Sequence, residues 1–378
     1  MGKDICSLEI TQNEIHAQPT FHSRLYAIDL LKFCSVVIVF LFHCNMHLGI
    51  QFKSLTPFIS QGAVVMDLFF MLSGFALYCR YRDMPLSDRA ALAIFYRKRF
   101  SSIYPLYLVI VLAFLLVMDP ASLTQKVLDL PIQLLLLQSW FSGLFSYSHN
   151  GGTWFLSCLA FCYVLFPLLK VPLERAGKRR VWMLLALVYL LCAVSPHLVI
   201  ACELPNIYSS PLLRMLQFFA GMLTAALVFR QSSHAKKITP LLWAGITACS
   251  FIALVGVVSW FVGREYCLGH YVPYGFVTFP LFILLLMGAV QTELSWSSAP
   301  RWCVALKTLS GFAYPIFMAQ FFLWSPMRKL ISARSQWFAV HGNWKTFLLV
   351  SLFCAAVTLA LYLFDTVCQR LLKKQALS

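Results

Sequence analysis

Residues Ile28 to His47 read IDLLKFCSVVIVFLFHCNMH, an apolar run interrupted by just two charged side chains, Asp29 and Lys32, and two imidazoles, His43 and His47. A helix crossing the hydrocarbon core of a membrane needs about 17 to 25 such residues, so the run predicts a span. Comparable runs follow at Pro57–Tyr78, Ser101–Met118, Trp154–Leu169, Val181–Ile200, Pro211–Phe229, Pro240–Val262, Pro273–Val290, Thr308–Pro326 and Thr346–Asp365. Composition agrees: 60% of the 378 residues are hydrophobic and 12% charged, where a soluble domain carries about 25% charged residues. Mean hydropathy is +0.76. These values exclude an ordinary soluble enzyme. The expectation is an all-α polytopic membrane protein of about ten transmembrane helices. A polar tail would occupy residues 1–24, one transmembrane domain residues 25–368, and a short second tail residues 369–378.

The chain has 30 Lys and Arg against 14 Asp and Glu, net +16. In a soluble protein that excess would suggest a nucleic-acid partner; here the tendency of basic residues to collect in cytoplasmic loops explains it without one. Ten spans with both termini cytoplasmic put twenty-two of the cations on inner segments and seven on outer ones. An eleventh candidate, Leu123–Phe141, is broken by Asp129, Pro131 and Gln133. Were it a full crossing, the five cations from Lys170 to Arg180 would face outward, so residues 123–141 are expected to form a re-entrant or interfacial helix. Arg328, Lys329, Arg334 and Lys345 are discordant with this map. Basic residues at the inner surface also suit contacts with anionic membrane lipids. The thirteen cysteines are scattered singly, which supports neither a disulfide framework nor a metal site.

A titratable side chain inside a span is costly and marks a candidate functional site. Lys32 and His43 are eleven residues apart, close to three full helical turns, so they share one face. At 1.5 Å per residue they stand about 16 Å apart along the axis. One face thus carries a cation near the cytoplasm and an imidazole deeper in, an arrangement suited to a channel or to a bound cofactor with its anionic end inside. Asp67 lies about halfway along the second span. Each of these also has a plain structural reading, as a buried group hydrogen-bonded to a neighbouring helix.

Several stretches occur in an order that resembles acyltransferase family three, bacterial membrane proteins that O-acetylate surface polysaccharides. Ile28–His43 resembles the family's opening helix, MDLFFMLSGF from Met66 its second-helix motif, and FYRKRFSSIYPLY from Phe95 its basic loop. TWFLSCLAFCYVLFPLL from Thr153, LRMLQFFAGML from Leu213 and LSGFAYPIFMAQ from Leu309 are similar to its later helices. The chain departs from the pattern in four places. Lys32 stands where Arg is usual, Ser102 replaces a second Arg, Leu159 and Ala160 stand where many members have Glu, and Gln320 aligns with a late His.

The resemblance implies transfer of an acyl group, acetyl above all, from cytoplasmic acyl-CoA to a hydroxyl of a glycan or lipid-linked glycan outside, in the bacterial inner membrane. Acetyl-CoA would be the donor and no metal is expected. Lys32, Arg97, Lys98 and Arg99 are the expected phosphate ligands, with Tyr104 beside them. His43 would be the general base and Asp67 its orienting group or a cation holder. Ser73, His149, Asn150 and Trp154 are expected on the acceptor side. Three alternatives stay open: a proton-coupled transporter or flippase, an enzyme with another donor such as succinyl-CoA or another acceptor, and an inactive scaffold.

Overall fold

The computed structural model describes residues 24–86, 88–118, 121–141, 150–202, 208–230, 239–262 and 275–375. Among these no strand occurs, and ten helices are long and apolar enough to cross a membrane. The chain is an all-α, multi-pass membrane protein.

The first span, α1 (Tyr26–Leu48), stops at Gly49, whose φ of 67° lies in the left-handed region that glycine enters without a Cβ penalty. The second span begins later than Pro57. Pro57 sits in the first turn of a separate short helix, α2 (Thr56–Ser60), and a turn over Gly62–Val64 then leads into α3 (Val65–Tyr81). Helix α4 (Arg89–Ser101) is N-capped by the Asp88 carboxylate and gives way at Ser102 to α5 (Tyr104–Ala113), which continues as a π-helical turn to Met118.

The segment expected to be re-entrant or interfacial forms α6 (Leu123–Leu134). The Lys126 ammonium donates to the Leu115 carbonyl near the far end of α5 (2.8 Å), whereas Tyr104 and Tyr107, near its start, donate to the carbonyls of Leu134 (2.9 Å) and Gln133 (2.5 Å). Helix α6 therefore runs back antiparallel to α5. The chain reverses at Leu136, with φ 57°, and reaches α7 (Asn150–Arg175), where the Ser157 hydroxyl donates to the Leu136 carbonyl at 2.6 Å. A helix packed lengthwise against α5 fits the re-entrant alternative better than one lying flat at the interface. Backbone at that depth persists because side chains satisfy its carbonyls.

Helices α8 (Lys178–Ala201), α9 (Pro211–Phe229), α10 (Pro240–Phe261) and α11 (Gly275–Leu294) follow. Helices α3 and α9 cross in close contact. A Cβ on Gly74 would lie 1.9 Å from the Phe218 carbonyl oxygen, and one on Gly221 the same distance from that of Met71. Paired glycines are how membrane helices bring their backbones together. The ninth span is α12 (Trp302–Gly311) joined to α13 (Ala313–Ala319), so it starts before Thr308 and ends before Pro326. Pro326 belongs to a distinct helix, α14 (Trp324–Ala333), and the long α15 (Ser335–Gln375) completes the bundle, continuing past the expected tail boundary at residue 369. The Gln369 amide donates to the Ser101 carbonyl at 2.8 Å and Arg24 to Ser310 Oγ at 2.8 Å. The described start of the chain and the end of α15 thus lie at the Lys32 end of the bundle.

Candidate active site

Helix α1 is fixed at its first turn. The Glu293 carboxylate of α11 accepts from the backbone amides of Tyr26 (2.8 Å) and Ala27 (2.6 Å), occupying two of the amides that a helix start leaves free. Arg24 pairs with Asp29. These contacts set the depth of everything further along α1.

At this end Lys32 is half-buried, makes no hydrogen bond among the described residues, and feels the charges of Asp29, Arg24 and Arg99. Arg99 is the one cation of the α4 trio that turns inward. It lies one turn from Phe95, the buried residue of α4, so it shares that face, while Arg97 and Lys98 are exposed. The Arg99 guanidinium sits 5.5 Å from the Tyr81 ring centroid, and its Nε is buried without a partner, as is the Tyr81 hydroxyl. Ser102, at the departure from the family's second Arg, donates to the Arg99 carbonyl (2.7 Å) and closes α4. The Tyr104 hydroxyl is committed to α6, as above, and so holds the re-entrant segment.

About 16 Å along α1, His43 is half-buried, and its Nδ1 lies 2.6 Å from Gln320 Oε1. The Gln320 amide nitrogen lies 3.4 Å from the Ile316 carbonyl. Because that carbonyl can only accept, the amide oxygen faces His43; Nδ1 therefore carries the proton and Nε2 keeps its lone pair. The surroundings are aromatic: Trp324 lies 5.7 Å and His47 5.6 Å from the His43 ring, and His47 stacks on Trp324 at 5.1 Å. Among the described residues no three His, Cys, Asp or Glu side chains converge.

Asp67 does not orient His43. It pairs with Arg214 in the first turn of α9, whose side chain is fully buried within the protein. Arg214 also donates to Gln217 Oε1 (2.7 Å) and the Tyr208 carbonyl (2.8 Å), and its guanidinium lies 4.7 Å from the Tyr208 ring and 5.1 Å from that of Trp154. Trp154 is thus a wall of the Arg214 enclosure. Ser73 donates to the Phe69 carbonyl of its own helix at 2.9 Å. His149 lies outside the described residues; Asn150 begins α7, but its side chain is also outside them.

Sequence reasoning put Lys32 and His43 on one face of α1 and named Arg97, Lys98 and Arg99 as cations at its inner end; of those three, Arg99 acts on Lys32, and Arg97 and Lys98 are exposed. It missed Glu293 as an anchor, left Asp67 between orienting His43 and holding a cation without naming Arg214 as that cation, and noted Gln320 merely as a departure. The available signal for Gln320 was its alignment with a position that usually carries another imidazole.

A family model described as an acyltransferase domain matches residues 25–365. Acyltransferase MdmB of Streptomyces mycarofaciens is 35% identical over 127 residues, 32% of this chain and 32% of the relative, so the match spans about a third of that relative's length. No solved structure matches. The family match runs from ahead of α1 deep into α15 and takes in both the Lys32–Arg99 cluster and the His43–Gln320 pair: the chain belongs to acyltransferase family three.

Proposed function

We propose that the protein is a membrane O-acyltransferase that takes an acyl group, in the simplest case acetyl, from acyl-CoA on the Lys32 side and transfers it to a hydroxyl of a glycan on the His43 side. The Lys32 side is the cytoplasmic face of the bacterial inner membrane on this reading, because most of the cations gather there. The observation that carries the reading is His43: one ring nitrogen is tied to Gln320 and the other left free to accept a proton.

The unpartnered Arg99 Nε and the free Lys32 ammonium suit the donor's phosphates, since charge-assisted bonds to anionic oxygens are the strong ones. His43 Nε2 takes the proton of the acceptor hydroxyl as its oxygen attacks the thioester carbonyl; the carbon–sulfur bond breaks, and CoA leaves as thiolate and is protonated. The imidazolium that forms strengthens the bond from Nδ1 to Gln320. General-base help of this kind contributes about 10²- to 10⁴-fold. A proton-coupled transporter would link His43 and Asp67, and these have separate partners.

The test is mass spectrometry of surface glycans from cells carrying the intact gene, a deletion, or His43→Ala. An acetyl-sized mass increment seen with the intact gene alone is expected. Identical glycans in all three would remove the glycan acceptor.

A further inference from the structure

Tyr81 is the last residue of α3, and the turn after it is clamped by α7: the buried Lys170 ammonium donates to the Met84 carbonyl (2.8 Å) and pairs with Glu174. The clamp brings the end of α3 against α4 and α7. Phe95 of α4 stands edge-on to the Tyr81 ring at 5.0 Å and stacks on Phe166 of α7 at 5.3 Å, and Phe166 lies 6.1 Å from Tyr81. Three rings from three helices thus form an apolar wall in which Tyr81 is 5% exposed.

Packing alone gives that wall no use for a hydroxyl, yet the Tyr81 oxygen is buried there without a partner, and so is the Nε of Arg99. The two groups are neighbours, the guanidinium standing 5.5 Å from the Tyr81 ring centroid. Both act electrostatically on the hydroxyl of Tyr163, a buried residue of α7. Among the described residues no Asp or Glu pairs with Arg99. The Nε can only donate, and a phenol can donate as well. Leaving buried donors unsatisfied is costly, and an oxyanion with several acceptor oxygens satisfies both at once. Acyl-CoA offers two such groups: a diphosphate, joined to the arm that ends in the thioester, and a 3′-phosphate on the ribose at the other end. Arg99 acts on Lys32, and Lys32 shares with His43 the face of α1 along which the arm would run. A group held between Arg99 and Tyr81 therefore stands where that arm sets out, which is the place of the diphosphate.

We infer that the Tyr81 hydroxyl, together with Arg99 Nε, holds the diphosphate of the acyl donor, and that Tyr163 lines the same cradle. The inference rests on the acyltransferase reading and deepens it: it adds an uncharged ligand from α3 and assigns the buried cradle to one of the donor's two phosphate groups.

The test is isothermal titration calorimetry of the full-length protein in nanodiscs of neutral lipid. The ligands are CoA, dephospho-CoA (which keeps the diphosphate and lacks the 3′-phosphate), inorganic pyrophosphate and short-chain phosphatidylglycerol. Tyr81→Phe keeps the ring against Phe95 and removes the oxygen alone. It should weaken CoA and dephospho-CoA alike by about tenfold, the value of one hydrogen bond to an anion. The thermal midpoint without ligand should stay level or rise, because an unsatisfied buried hydroxyl has gone. CoA affinity untouched by Tyr81→Phe would overturn the inference and leave the acyltransferase reading standing on His43. A penalty seen with CoA and absent with dephospho-CoA would overturn it too, by assigning the cradle to the 3′-phosphate. So would a lowered midpoint in ligand-free Tyr81→Phe, which would give the hydroxyl a structural role. An unaltered protein that binds no CoA, yet binds pyrophosphate or phosphatidylglycerol in a Tyr81-dependent way, would overturn the acyl-CoA reading itself and make the cradle a site for free or lipid phosphate.

Discussion

Two sets of polar groups within the described spans, around Arg214 and around His43, are built in opposite ways. Around Arg214 the guanidinium is enclosed by a carboxylate, an amide, a carbonyl and three aromatic rings, and it pins α3 to α9 beside the Gly74 and Gly221 crossing. Around His43 one nitrogen is held by Gln320 and the other faces an aromatic recess that is half open. Both sets would be flagged alike by the cost of placing such groups in a membrane. What separates structure from chemistry is the kind of atom left over: at Arg214 one guanidinium nitrogen, Nη2, is buried without a partner and can only donate, whereas the spare nitrogen of half-buried His43 can accept a proton.

The sharpest way to break this comparison is His43→Ala, which should cost about 10²- to 10⁴-fold in acyl transfer, the worth of a general base, while the folded yield stays unchanged. Asp67→Ala should do the reverse. Leaving Arg214 buried without its counter-charge costs about 3 to 5 kcal/mol, read as a drop in thermal midpoint and yield, with the surviving folded protein transferring at its normal rate. Gln320→Leu should slow transfer by about 10- to 100-fold, the value of one hydrogen bond to a group that gains charge, and Gln320→Glu, which still accepts from Nδ1, should recover most of the rate. Arg99→Gln is the mildest: it should raise the acyl-CoA concentration needed by about tenfold, one charge-assisted bond's worth, and leave acceptor dependence alone. An acyl-CoA titration that does not move would detach Arg99 from the donor.

Much of the fold was legible because membrane spans are set by length and hydrophobicity alone. The ten apolar runs, the reading of residues 123–141 as a re-entrant or interfacial helix and not a full crossing, and the shared face of Lys32 and His43 need no knowledge of neighbours. Span edges were less legible: Pro57 and Pro326 look like span residues in a hydropathy profile, yet each belongs to a short separate helix. The site was legible along α1 and illegible across helices. Whether Asp67 meets His43 or Arg214 depends on which helices cross, and that is decided by Gly74 and Gly221 admitting a backbone contact that no periodicity displays. Tyr104 and Trp154 look like substrate ligands by residue type, but they hold α6 and enclose Arg214. Gln320 reads as a lost histidine in sequence and becomes intelligible beside His43, where an amide suffices to fix the proton on Nδ1.

The most direct measurement is the rate of CoA thiol release per folded molecule, for purified His43→Ala and Asp67→Ala in liposomes supplied with acetyl-CoA and an acceptor glycan extract. The account predicts loss of rate in His43→Ala at full stability, and normal rate in whatever fraction of Asp67→Ala remains folded. A full rate in folded His43→Ala, or its loss in folded Asp67→Ala, would contradict it.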